Sequence, residues 1–430
     1  MTLRWLRAAW VLPIDRPPLR DGAVLVDAQG RIAAVGPAAE LSPPSGAAVT
    51  HLPDAALLPG LVNTHTHLEL TGLAPLGEVA SFADWIRGII ERKRARTPAD
   101  FLAAARQGLR DCWAGGVTTV ADCGDSGAVA AALAELGGSG IAYHEVFGPH
   151  PAQAEESMAA LAARVAELRR ACGGPRVRIG VSPHAPYSVS GPLYRASARW
   201  AREAGLPLAV HLAESAEESE LIGQGTGAFA GMWARRGIPP LAPAGPAGRS
   251  PVAWLEEHGV LGPDCLCIHV VRADAADVSR LASAGAAVAH CPLSNAAHAH
   301  GVAPLAGLRA AGIRVGLGTD SVVSVGRLDL LAEARAARRL GALSAAEALE
   351  LCTLGGARAL GLDAELGSLA PGKWADAAAV RLPQAAARAA DAAAVPEAVL
   401  GVAVEDVVLT LLGGRVVHQA REIRGEAPTG

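Results

Sequence analysis

The sequence predicts an α/β protein: a (β/α)8 barrel over residues 61–370, with a small β-sandwich domain built from both termini, residues 1–60 and 371–430. Three observations predict it. Between 61 and 370, eight apolar runs of β character alternate with Ala/Leu/Arg segments of helical period, the pattern of βα units around a parallel sheet. Both ends of the chain carry short apolar runs split by turn signals. Histidines gather at the ends of the predicted strands, where a barrel places its functional groups. A doubly wound sheet is the alternative topology.

The elements follow in order. The opening MTLRWLRAAWVLPIDRPP lacks the apolar core and small-residue cleavage site of a secretory signal, so it reads as a strand. GAVLVDAQGRIAAVG is a hairpin around DAQG, and HLPDAALLPG is a strand closed by Pro-Gly. The eight barrel strands are LVNTHTH, VTTVADC, IAYHEVF, VRIGVSPH, LPLAVHL, LCIHVV, AAVAHCP and IRVGLGTD. RRGIPPLAPAGPAGRSP, between the fifth and sixth, is rich in Pro and Gly and reads as a surface loop. WADAAAVRL and VEDVVLTLLGGRVVHQ return to the style of the amino terminus, and both termini are expected in one sheet. GSLAPGKW has Trp374 where a phosphate-binding loop needs Ser or Thr, and reads as a turn into that sheet.

Composition narrows the function. The 430 residues carry 38 basic and 42 acidic side chains, net −4, with no basic stripe, so nucleic acid is not an expected partner. No apolar run reaches the roughly 18 to 20 residues of a membrane helix, so no membrane partner is expected either. Seven cysteines without a C-x-x-C pair argue against a disulfide framework and for a cytoplasmic protein. The expected partner is a small-molecule substrate; a homo-oligomer is compatible with the sequence.

The informative residues are polar groups at strand ends. His65, His67, His144, His184, His211, His269 and His290 all lie in or just after predicted strands, and Asp320 follows the eighth. His65 and His67 are an i, i+2 pair, so on a strand both point to one face and can grip one ion. Alone, H-x-H is a weak signal. Joined by His211, His269 and Asp320 at later strand ends it is far from chance, and a mononuclear site of three imidazoles and one carboxylate drawn from these residues suits Zn2+ or Fe2+.

LLPGLVNTHTH, VSPHAPYSVS, HLAES, IHVV, HCPLSN and GLGTDS resemble the amidohydrolase superfamily, in its cytosine/adenosine-type deaminase and chlorohydrolase branch, over essentially the whole chain. The resemblance implies one divalent ion held by His65, His67, His211 and Asp320. It implies that His269 hydrogen-bonds the nucleophile, and that Glu214 and Asp320 move protons while ammonia leaves. The bland reading of Glu214 is a solvated glutamate before the exposed acidic run SAEESE. Binuclear relatives bridge two metals with a lysine on the fourth strand; VRIGVSPHAPY has none, and the chain's two lysines, Lys93 and Lys373, lie elsewhere. Glu145 reads as a residue of the barrel interior.

HTHLEL with SPHAPYSVS resembles the aminodeoxyfutalosine deaminases of menaquinone biosynthesis, and S-adenosylhomocysteine, methylthioadenosine and adenosine deaminases share most of it. A triazine-type chlorohydrolase is the second enzyme reading, and a metal-free scaffold the non-enzyme one. Expected substrate contacts are His184, Glu69, Trp85 and Phe82, the aromatic pair as a lid or base-stacking surface or as core. ERKRAR at 91–96 reads as a solvated helix face, or as an anchor for an acidic substrate group. AAHAHG at 296–301 stands where relatives often carry a lysine, and its role stays open.

Overall fold

The computed structural model describes residues 2–76, 79–241 and 248–421. The central residues 242–247 of the Pro/Gly-rich segment lie outside the described residues. Strands β1 (Arg4–Val11), β2 (Leu19–Val26), β3 (Ile32–Pro37) and β4 (Ala48–Pro59) precede eight barrel strands. These are β5 (Leu61–Thr66), β6 (Val117–Gly124), β7 (Gly140–Val146), β8 (Val177–Pro183), β9 (Leu208–Leu212), β10 (Cys265–His269), β11 (Ala287–His290) and β12 (Arg314–Leu317). After them come β13 (Ala377–Arg381), β14 (Val407–Leu412) and β15 (Arg415–Gln419).

The termini form one seven-stranded sheet in the order β15-β14-β13-β4-β1-β2-β3. The DAQG hairpin pairs β2 and β3 antiparallel, and Leu6, Val24, Ile32, Leu57 and Leu409 sit in its hydrophobic core. The opening segment is β1, paired with β2 on one side and β4 on the other.

The barrel strands follow chain order, β5 to β12. All eight expected runs are strands. They lack a polar face because helices cover the outside and side chains fill the inside: Val62, Val181, Val210, Ile268 and Leu317 are fully buried. A parallel bridge between Thr66 and Asp320 joins the first strand to the chain leaving the last. By contact density the chain divides into two compact units, one of residues 1–63, 109–120 and 328–430, the other of 64–108 and 121–327. Every functional residue discussed below belongs to the second.

Among the described residues, no helix is long and apolar enough to cross a membrane.

Candidate active site

β5 brings His65 to its end, and His67 follows one residue beyond the strand. Between them Thr66 points the other way and donates to Asp122 Oδ2 at 2.7 Å, the same oxygen that accepts the Leu68 amide at 2.6 Å. Asp122 thus fixes the exit of β5 and the aim of both imidazoles. Beyond β12, the amides of Thr319 and Asp320 donate to the His65 carbonyl at 3.1 and 3.0 Å. That approach requires glycine at 318, where a Cβ would lie 2.8 Å from the His65 amide nitrogen. Asp320 and His269 themselves adopt positive φ, 58° and 71°, which non-glycine residues rarely do. Strained backbone therefore coincides with the strand ends that present functional groups.

Four side chains converge. His67 Nε2 and His211 Nε2 are 3.3 Å apart, and Asp320 Oδ1 is 3.5 Å from both His65 Nε2 and His67 Nε2. His67 Nδ1 lies 2.8 Å from the Cys123 carbonyl and His211 Nδ1 3.2 Å from the His184 carbonyl. A carbonyl only accepts, so each Nδ1 carries the hydrogen and each Nε2 presents a lone pair. Two lone pairs at 3.3 Å repel unless a cation lies between them, so this donor set fits a divalent ion. Burial holds the His65 imidazole down at about 4 and pushes His211 well below the usual range, so both favour the neutral, ligating form. Burial alone would raise the Asp320 carboxyl; the His65 hydrogen bond and the neighbouring imidazoles outweigh it and hold it well below the usual range. Ser294 and Ser324 donate to Oδ2 at 2.5 and 3.2 Å, which leaves Oδ1 facing the histidines.

Beside this cluster, Glu214 is buried, 3.5 Å from His269 Nε2 and 3.4 Å from His300 Nε2. Burial opposes its ionisation, but His269 and His300 more than compensate and hold it at about 2. The solvated reading of Glu214 is therefore wrong. The acidic run after it is not an exposed turn either. Both Glu218 oxygens accept backbone amides, of Ala213 and Glu214, at 2.8 Å, and Glu217 accepts the amides of Phe82 and Ala83 at the start of the helix Phe82–Arg94.

A cavity of about 630 Å³ opens over these groups. His184, Glu69, Phe82 and Trp85 line it, together with His67, His211, Glu214, His269 and Asp320. Phe82 and Trp85 stack at 5.7 Å between ring centres. His184 is held by Ser188 Oγ at 2.7 Å from its Nδ1, and burial pushes its imidazole down to about 3.

The sequence profile of the amidohydrolase family matches residues 56–417. The chain belongs to the amidohydrolase family. It is 31% identical over 423 residues to a 5-methylthioadenosine/S-adenosylhomocysteine deaminase of Symbiobacterium thermophilum, covering 93% of this chain and 89% of that one. It is 35% identical over 295 residues to an aminodeoxyfutalosine deaminase of Deinococcus radiodurans, covering 66% and 68%. Among solved structures it resembles an adenosine deaminase from Xanthomonas campestris with bound zinc, at 27% identity and a TM-score of 0.81, covering 96% of this chain and 92% of that one.

In this amidohydrolase the pocket also holds residues that sequence reasoning had placed elsewhere. Lys93, from the charge run, is not solvated: its Nζ lies 2.6 Å from Glu69 Oε1 and 2.5 Å from Asp125 Oδ1. Glu69 faces the cavity as expected, but its carboxylate is engaged by Lys93 and the Ser126 hydroxyl. Glu145 lines the cavity too, with burial raising its carboxyl well above the usual range. Its oxygens, His184 and His211 form a second convergence of ligand atoms within 4.8 Å. That convergence borrows His211, whose Nε2 already serves the first cluster and whose Nδ1 is held by a carbonyl. His300 was missed as a functional residue; the i, i+2 spacing of His298 and His300 was its only signal.

Proposed function

We propose that this amidohydrolase hydrolytically deaminates a 6-aminopurine nucleoside with a bulky 5′ group, aminodeoxyfutalosine in the first instance, and releases ammonia. The observation that carries the reading is the pairing of a four-ligand cluster (His65, His67, His211, Asp320) with a buried, ionised Glu214 on one cavity. A divalent ion held there, Zn2+ or Fe2+ at one per chain, would lower the pKa of water towards about 7.

The chain's own residues would do the rest. Glu214 starts as the carboxylate, accepts one proton from the attacking water, and gives it to the ring nitrogen next to the attacked carbon, so no unstabilised anion forms. Asp320 takes the second proton of that water and returns it to the amino group, which leaves as ammonia. Water supplies one proton to the ring and one to the leaving group, and the ring keeps the oxygen. His269, its Nδ1 engaged by Asn295 Oδ1 at 2.9 Å, offers Nε2 as an acceptor that orients the nucleophile. The Phe82–Trp85 stack is a flat apolar wall for the base, and His184 a hydrogen-bonding partner for base or ribose.

The choice of 5′ group draws support from the rest of the cavity lining. Ile90 and Phe147 are 43% and 41% exposed, apolar surface that a bulky substituent would cover. Arg94 and Arg236, both exposed, also line the cavity and suit an anionic end. Methylthioadenosine/S-adenosylhomocysteine deaminase is the second reading, favoured by the fuller coverage of that relative.

Ammonia release from aminodeoxyfutalosine, S-adenosylhomocysteine, methylthioadenosine, 5′-deoxyadenosine and adenosine, measured side by side, tests both. The first should give the highest kcat/KM. A higher value for S-adenosylhomocysteine or methylthioadenosine would select the second reading, and inertness of all five with chloride release from a chlorinated triazine would overturn both.

A further inference from the structure

We propose that His300, in the H-A-H segment after β11, is the positioning residue that donates a hydrogen bond to Glu214 and aims it at the substrate ring. The inference rests on the role given to Glu214 above. Two imidazole nitrogens stand near Glu214 Oε1, and they are not equivalent. As the neutral imidazole that orients the nucleophile, His269 hands its one hydrogen, on Nδ1, to Asn295 Oδ1, and in that form its Nε2 is a lone pair that cannot donate to a carboxylate. His300 is buried, and its Nε2, 3.4 Å from Oε1, meets no better-aligned partner among the described residues. It is therefore the side chain placed to donate. The contact is long by about 0.5 Å, as catalytic hydrogen bonds often are before substrate arrives.

The local backbone is organised around this placement. The His300 amide donates to the Asn295 carbonyl at 2.9 Å, so the residue that holds His269 also holds the His300 main chain. Ala299 takes φ 53°, unfavourable for a residue with a Cβ, and Gly301 takes φ 113°. The His300 ring meets Phe82 edge-on at 4.6 Å. A base stacked on the aromatic wall and the carboxylate that protonates it would thus be registered through one side chain.

The competing account is that His300 only fills space against Phe82. The two accounts separate in a double-mutant cycle on the purified, metal-loaded enzyme with its best 6-aminopurine nucleoside. His300→Leu keeps bulk and loses the donor: kcat should fall on the order of 10- to 100-fold, with KM and metal content close to wild type. His300→Gln, which can still donate, should recover most of kcat. In a Glu214→Gln background His300→Leu should cost little more, because the group it positions is already disabled. Wild-type kcat in His300→Leu, or the same fold-loss in both backgrounds, would overturn the inference while leaving the deaminase reading intact. Should His300→Leu not fold, His300→Asn, too short to reach Glu214, reads the same quantity. If the wild-type enzyme deaminates no 6-aminopurine, the reading and the inference fall together.

Discussion

His211 makes two contacts that have to hold at once: its Nδ1 is tied to a carbonyl while its Nε2 faces His67. Replacing it with alanine removes a proposed ligand and leaves His67 without its opposite number. We expect His211→Ala to lose more than the roughly 10- to 100-fold in metal affinity that loss of an outer partner costs, and to lose turnover with it. Metal analysis of the wild type should find about one ion per chain; two tightly held ions would mean that Glu145 and His184 form a real second site. Glu214→Gln should behave differently, keeping its metal while turnover falls about 10²- to 10⁴-fold, because the amide cannot take and return a proton. Loss of metal in that variant would make Glu214 a ligand or a support for one. At this scale the sequence was legible where chemistry restricts residue type. Imidazoles at strand ends are what a metal site would need, and the resemblance implies His65, His67, His211 and Asp320 as its ligands; the structure brings these four together. His300 and Ser294 could not be named, because each acts through a partner that is remote in sequence and adjacent only after folding, and Ser324, though four residues from Asp320, is of a residue type too common to signal a role.

The helix Phe82–Arg94 shows the same limit at the scale of an element. Its start carries a local signal, since Ser81 is a good N-cap and accepts the Asp84 amide at 3.0 Å. What the sequence did not reveal is that Glu217, on a different βα segment, accepts the next two orphan amides, those of Phe82 and Ala83. An acidic run looks solvated until the helix that it caps is in view. That capping joins the segment bearing Glu214 to the helix bearing Phe82, Trp85 and Lys93, so it bears on function as well as stability. Glu217→Ala should cost about 1 to 2 kcal/mol, read as a lower thermal midpoint. It should also raise KM more than it lowers kcat, because the aromatic wall loses its anchor while the metal cluster stays intact. An unchanged KM with a lowered midpoint would reduce Glu217 to a cap with no bearing on the pocket. The eight barrel strands were easier to read than this helix, since burial on both faces leaves unbroken apolar runs that few other elements produce.

Summed over the whole molecule, buried histidines set how stability depends on pH. Burial holds His144 and His290 at about 4 and His184 at about 3, while each would titrate near 6.5 when unfolded. Between about pH 4 and 6.5 the unfolded chain therefore binds protons that the folded one refuses. Stability is fully present above 6.5 and is lost as pH falls, by about 1.4 kcal/mol per pH unit for each such histidine. Glu218 works the other way. Burial pushes it up to about 8, so the folded protein keeps a proton that the unfolded chain releases above its ordinary value of 4.5, and stability falls as pH rises between the two. Glu145 and Asp122, also raised by burial, act with Glu218. The lowered His65, His67 and His211, which must be neutral to hold the proposed ion, act with the other three histidines, and these six histidines against three carboxyls leave a net loss on acidification. The thermal midpoint should drop from pH 7 to pH 5.5. His290 isolates the effect, because neither of its buried ring nitrogens meets a hydrogen-bond partner among the described residues and it lies outside the proposed ligand set. His290→Leu should flatten the acid side of the profile by one histidine's share, and Glu218→Gln should steepen it. A profile unchanged by His290→Leu would mean that His290 takes up its proton at the same pH folded and unfolded, and the acid sensitivity would then belong to the other buried histidines.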